Sequence, residues 1–237
     1  MARTLLAIYP QSARRYVEML SAGGVVRPHW EQFFAHLDTV SPEDMHHRME
    51  FVERRIQENG VTYNVYADPH GSDRPWALDP VPLIIPPDEW AEVSAAVAQR
   101  ATLFNAMLAD LYGEQKLLAE GLLPPALVYG QHGYLWPCQG IKPPGGVWLP
   151  NYAVDLARAP NGRWWVIADR TQAPSGAGYA LENRLIVSRV FPEMFRDLRV
   201  QHLADFFRAQ LEGLSALAPV DGDEQPHIVL LTPGPYN

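Results

Sequence analysis

Apolar residues recur at helical spacing in several stretches of the chain. Over residues 88–112, Trp90, Val93, Val97, Ala101, Phe104, Leu108 and Leu111 step by three and four. That spacing predicts one long helix with a single buried stripe. Ser41-Pro42-Glu43-Asp44 opens another helix. Ser41 is a capping residue, Pro42 suits the first turn, and the two acids favour the positive end of the helix dipole. This helix is expected to end near Glu58, at Asn59-Gly60. Ahead of it, Trp30, Phe33, Phe34 and Leu37 share one helical face. Residues 1–29 are weakly periodic and broken by Gly23-Gly24, which predicts a short helix or a poorly ordered segment. A short amphipathic turn is expected over 115–120, and helices over about 180–190 and 197–217.

Strand-like patterns are shorter. Residues 61–66 alternate, and a turn-rich stretch follows over 68–72. The apolar run 81–85 contains Pro82, which points to an edge strand or an extended segment. Pro124-Pro125 leads to an expected short strand near Val128. Residues 137–150, rich in proline and glycine, read as a loop. A hairpin is expected over 152–169, then a Gly/Ser loop over 173–178. The apolar run from His227 to Leu231, followed by Thr232-Pro233-Gly234, reads as the first strand and loop of an α/β unit. The pattern as a whole predicts an α+β fold in which an antiparallel hairpin sheet packs with helices. Three parts are expected: 1–29, 30–218, and the start of a truncated α/β subdomain over 219–237.

Composition narrows the function. The 237 residues hold 19 Lys+Arg against 27 Asp+Glu, a net charge of −8. That field has the wrong sign for a general nucleic-acid binder or an anionic membrane surface. The lysines are Lys116 and Lys142, so a mechanism needing several lysines on phosphates is not completed by these residues. The single cysteine, Cys138, excludes an intrachain disulfide and a cysteine-rich zinc site. It fits a reducing compartment and reads as a small packed residue. Apolar runs stay far below the ~18 residues of a membrane span. A cytoplasmic protein is expected.

The informative chemistry lies in the hairpin. Pro160-Asn161-Gly162 separates two strand-like runs: Pro160 presets φ, and Gly162 suits the left-handed position of a bulged turn. With a three-residue loop, Ala159 faces Arg163 and Asp155 lies opposite Ile167. Asp169 then falls two residues farther along the same face, with the two backbones ~7–8 Å apart. A two-residue loop would put the acids on opposite faces. Two carboxylates on one face repel unless a cation lies between them, and Mg²⁺ suits a site that also takes phosphates. The plainer alternative is a pair of solvated acids, or acids paired with Arg158, Arg163 or Arg170. Past Asp169 come a cation, amides, a hydroxyl and a glycine loop entering a helix, whose backbone N–H groups over 176–179 could cradle an anion. A dinucleotide fingerprint fails, because Leu181 stands where a third glycine is needed.

Several motifs carry a resemblance. Trp76-Ala-Leu-Asp79-Pro-Val-Pro-Leu-Ile-Ile-Pro86, Gln99-Arg100 with Asp110-Leu-Tyr-Gly113, Asp169-Arg-Thr-Gln-Ala-Pro-Ser-Gly-Ala-Gly-Tyr179 with Glu182-Asn-Arg184, and Leu231-Thr-Pro-Gly234 resemble the circularly permuted ATP-grasp family from about residue 30 onward. The resemblance implies ATP-dependent joining of a carboxylate to an amine or thiol through an acyl-phosphate, with small amino-acid or peptide-like substrates. It implies Mg²⁺ held by Asp155, Asp169 and Thr171, with Thr171 standing where the family usually has Asn and Gln172 as its substitute. It implies ATP contacts at Gln172, Ser175, Gly176, Gly178 and Asn183, and an acyl-phosphate steadied by Arg170 or Arg184. Glu182-Asn183 is a second candidate for metal or for orienting those arginines. Since permutation puts the metal-bearing half first, the chain is expected to be the N-terminal portion of a ligase, inactive alone.

Two rival readings stand beside it. The chain could be a non-catalytic interaction module using the 137–150 loop with Trp136 and Trp148. An acid/base hydrolase is weaker, because it needs a carboxyl of raised pKa and Arg158 and Arg170 would lower it. His46 and His47, adjacent on a helix, read as surface residues. Trp164 and Trp165 alternate faces of a strand.

Overall fold

A computed structural model describes residues 6–9, 14–62, 76–219 and 225–231. Among them, helices α1 (Pro28–Thr39), α2 (Pro42–Glu58) and α3 (Pro87–Leu111) come first, then the short α4 (Lys116–Ala119) and α5 (Pro125–Tyr129). Strands β1 (Ala153–Arg158) and β2 (Trp164–Arg170) form an antiparallel hairpin. Helices α6 (Ala177–Val190), α7 (Pro192–Asp197) and α8 (Ala204–Ala216) complete the order. The fold is α+β, a two-stranded sheet packed with helices.

Proline opens α1, α2, α3, α5 and α7. At that position its missing N–H would have lacked an intrahelical partner in any case. In α2 the expected cap is present: the Asp44 amide donates to Ser41 Oγ at 3.0 Å, and the Ser41 hydroxyl donates back to the Asp44 carboxylate at 2.7 Å. The same α5 overturns the strand expected near Val128. Pro125 begins a helical turn there, and Val128 is buried beneath it.

The core sits where α1, α2, α6 and α7 meet. Trp30, Phe33 and Leu37 of α1 are 1 % exposed, as is Ile186 of α6, and Phe191 is 2 % exposed. Phe33 meets Trp30, Phe34 and Phe191 edge-on. Each fully buried side chain of this size contributes about 1.5–3 kcal/mol over an exposed one. The segment before α1 belongs to this core too: Met19 and Leu20 are buried in it. Gly24, at φ +73°, turns the chain so that Leu20 bridges Val26.

The long helix falls where expected, but its stripe is only partly covered. No residue of α3 is fully buried, and Trp90 is 47 % exposed. A hairpin two strands wide is too narrow to shield a helix of 25 residues. The helix expected over 197–217 divides instead. Helix α7 stops at Asp197, Arg199 takes a positive φ of 50°, and α8 starts at Ala204.

The 137–150 loop is pinned to the end of α3. Tyr112 stacks between Tyr134 and Trp148, each 5.0 Å away and within 7° of parallel. Asn105 Oδ1 accepts from the amides of Trp148 and Leu149. The run 81–85 is extended between its prolines and pairs with no strand among the described residues. The strand expected over 61–66 and the turn over 68–72 fall mostly or wholly outside the described residues. In the run after His227, residues 225–231 form no strand among the described residues, and Leu230 and Leu231 are 86 and 94 % exposed.

Candidate functional site

The hairpin turn is the three-residue one expected. The Ala159 amide donates to Arg163 O at 2.8 Å, the Gly162 amide donates to Ala159 O at 2.8 Å, and Gly162 lies at φ +87°. Arg158 pairs with Trp164, Ala157 with Trp165, and Leu156 with Val166. Then the count changes. Beyond Leu156 the partners are Asp155 with Ala168, Val154 with Asp169, and Ala153 with Arg170. A β-bulge has slipped one extra residue, Ile167, into β2.

That single residue overturns the shared-face expectation. A one-residue shift moves every later side chain to the other face. Asp169 joins Arg158 and Trp164 on the face turned toward α3. Asp155 lies with Arg170 on the open face. Each acid already has a cation of its own. Arg100 of α3 donates to Asp169 through Nε at 2.6 Å and Nη2 at 2.7 Å, a two-pronged pair, and the Tyr152 hydroxyl donates to the same carboxylate. Arg170 reaches Asp155 Oδ2 at 2.7 Å. Among the described residues no group of three or more His, Cys, Asp or Glu stands close enough to hold a metal. On opposite faces and each with its own arginine, Asp155 and Asp169 do not converge on one Mg²⁺ ion in this arrangement.

The electrostatics follow from these contacts. Hydrogen bonds from Arg100 hold the Asp169 carboxyl below the usual range, against the opposing pull of partial burial. Tyr152 is pushed up to about 12, first by burial and then by donating to Asp169. The bond from Arg170 to Asp155 raises the arginine further.

The loop after β2 is exposed at Thr171, Gln172, Ser175, Gly176 and Gly178. Ala173 and Gly176 both take positive φ, 40° and 101°. Gly176 leads straight into α6, whose first turn is capped by no side chain. Thr171 and Ser175 lie in the exposed loop that leads to this helix start, and the Gln172 amide lies against Gly133.

The residues expected beside them turn elsewhere. Glu182 accepts from the Asn59 side chain. Asn183 Oδ1 accepts from Trp76 Nε1 at 2.9 Å, and the Tyr179 ring lies tilted against Trp76, centres 4.5 Å apart, while its hydroxyl donates to Thr62 O. Arg184 donates to Gln201 O at 2.9 Å and lies over Phe195, where burial lowers its pKa. Asn183 and Arg184 therefore tie α6 to its neighbours, and the structure does not bring them to the loop. Of the two tryptophans of the interaction-module reading, Trp148 is half-buried in the Tyr112 stack, whereas Trp136 is 59 % exposed.

Sequence reasoning gave Arg100, Tyr152 and Glu89 no role. Arg100 had a signal: it stands three residues after Val97 and four before Phe104, a charge set into an apolar stripe. A cation there calls for a buried-side anion, and Asp169 supplies it. Glu89, in the first turn of the same helix, accepts from Trp164 Nε1 and pairs with Arg158.

No helix among the described residues is long and apolar enough to cross a membrane. Comparison with known proteins adds the family. The chain is 36 % identical over 222 residues to the uncharacterized protein sll0335 of Synechocystis sp., covering 94 % of this chain and 46 % of that protein. It is 35 % identical over 230 residues to the uncharacterized protein Rv2567 of Mycobacterium tuberculosis, covering 94 % and 26 %. A third relative, the uncharacterized protein Rv2411c of the same organism, is 32 % identical over 225 residues, covering 95 % and 40 %. The chain thus spans less than half the length of these relatives. Residues 82–237, which hold α3, the bulged hairpin and the loop into α6, match the family model, and the chain belongs to the circularly permuted ATP-grasp type 2 family.

Proposed function

We propose that this chain forms part of an ATP-dependent ligase that activates a carboxylate as an acyl-phosphate and passes it to an amine, with amino acids or short peptides as substrates, in the cytoplasm. The observation that carries the reading is the open turn between β2 and α6. An exposed arginine, Arg170, ends β2 six residues before an uncapped helix start at Gly176.

Each part has a task in phosphoryl transfer. The first N–H groups of α6 and the positive end of its dipole favour phosphate oxygens. Arg170 offsets charge that develops as the phosphoryl group moves, and Asp155 fixes the arginine's direction. Ser175 and Gln172 add donors at the rim. In such ligases Mg²⁺ neutralises nucleotide phosphates. The two aspartates do not fit a common ion here, so no step is assigned to the metal.

The test measures ADP release in a chain of the relatives' full length, supplied with ATP, Mg²⁺ and a panel of amino acids. Release that depends on an added amino acid, and that falls at least about tenfold in Arg170→Gln, is the expected result. No amino-acid-dependent release, or full activity in Arg170→Gln, overturns the reading.

A further inference from the structure

A second site lies at the far end of the hairpin from this turn. Residues 14–27, the Pro160-Asn161-Gly162 turn and the first turns of α3 enclose a cleft of about 1120 Å³. Its wall is built around Arg158, whose side chain is only 8 % exposed. The guanidinium is sandwiched between Tyr16, 4.5 Å away, and Trp164, 4.1 Å away. Glu89 pairs with its terminal nitrogen. Its Nε is different. That N–H is buried and has no hydrogen-bond acceptor, although a Glu18 carboxylate oxygen stands 3.0 Å off. The two groups meet as charges without the alignment a hydrogen bond needs.

Glu18 is thus an imperfect partner in a prepared place. Burial raises its pKa against the pull of Arg158. Three of the charged residues that line the cleft, Arg15, Arg163 and Glu92, have no ion-pair partner among the described residues, and Arg163 lies over the Trp165 ring at 5.6 Å. The cleft floor offers Val93 and Ala96 as apolar surface. A rigid guanidinium between two rings is a selective seat for a carboxylate, because the planar fork cannot turn away from it. Two cations and one anion without an ion-pair partner among the described residues match a molecule carrying more carboxylates than ammonium groups.

We propose that this cleft binds an acidic amino acid or short acidic peptide, whose carboxylate replaces Glu18 at Arg158. Arg15 and Arg163 receive the second carboxylate, and Glu92 receives the ammonium. Glu18 is then an internal stand-in that occupies Arg158 until a ligand arrives. The assignment of the bound molecule as a substrate rests on the ligase reading. Its binding does not.

Calorimetry of this chain with the dipeptide Ala-Glu, without ATP or Mg²⁺, tests the cleft. Saturable one-to-one binding is expected, weakened at least tenfold by the double substitution Arg15→Gln with Arg163→Gln, both at exposed positions. Glu18→Gln should tighten it, since the competing charge is gone. Arg189→Gln, an exposed arginine on α6, should leave it unchanged, and the charge-reversed Ala-Lys should bind at least tenfold more weakly. No saturable binding by either the unaltered chain or Glu18→Gln overturns the proposal, as does equal affinity after the double substitution or equal affinity for Ala-Lys. Dipeptide binding alongside absent ADP release would overturn the ligase reading and leave the cleft standing.

Discussion

Asp155 and Asp169 leave the hairpin on opposite faces, each held by a different arginine. Asp169 receives two donors from Arg100 of α3, and Asp155 receives Arg170 on the open side. One acid therefore joins a helix to the sheet, and the other stands beside the exposed loop. The two should fail in different ways when altered.

Asp169→Asn removes the charge that holds Arg100 and should lower the thermal midpoint by a few degrees. Asp155→Asn should leave the midpoint unchanged, because that pair is exposed at both ends, 61 % for Arg170 and 47 % for Asp155. Circular-dichroism melts of the two variants check this. Equal losses would mean that Asp155 is also structural.

Acid should unfold the protein partly through Asp169. Its carboxyl titrates lower when folded than when unfolded, so the unfolded chain binds the proton first. The stabilisation is complete above the ordinary carboxylate range, near pH 4, and is lost as pH falls through the lower folded value. Urea midpoints of the unaltered protein should fall over that window, and those of Asp169→Asn should fall less steeply.

Gly162 is fitted against the segment before α1. A Cβ there would stand 2.7 Å from the Tyr16 ring, on a backbone at φ +87°. Gly162→Ala should cost about 1–2 kcal/mol from the left-handed backbone alone. Pushing Tyr16 away should also expose residues 14–27 to protease. Limited proteolysis with urea unfolding measures both effects, and a variant as stable and as resistant as the parent would refute them.

The core should respond far more strongly than either surface. Phe33→Ala removes a ring that is 1 % exposed and packed edge-on against three neighbours, and should cost about 3–5 kcal/mol. Ile186→Ala, across the same core, should cost about 2–5 kcal/mol. Denaturant titration gives both values.

Much of the fold was legible along the chain because its causes are local. Ser41 and Pro42 mark the start of α2 by hydrogen bonding and ring geometry that involve only their neighbours. Pro160, Asn161 and Gly162 set the hairpin turn in the same way, and Ala159 meets Arg163 as counted. Val128 misled because a run too short to show a period is equally strand and helix until Pro125 starts a turn. The break at Arg199 was equally hidden, since neither Gly nor Pro marks it.

The sequence by itself determined the family, the α+β character, the long helix and the turn of the hairpin, because each rests on a motif or on interactions a few residues apart. Only the tertiary structure decided which face each aspartate takes. Parity counted outward from a turn holds until a residue is inserted, and nothing local announces the bulge at Ile167. With that extra residue in β2, Asp169 reaches Arg100, a partner 69 positions away on another element. Short-range pattern carries no information about so distant a contact, yet that contact settles what the two acids can do.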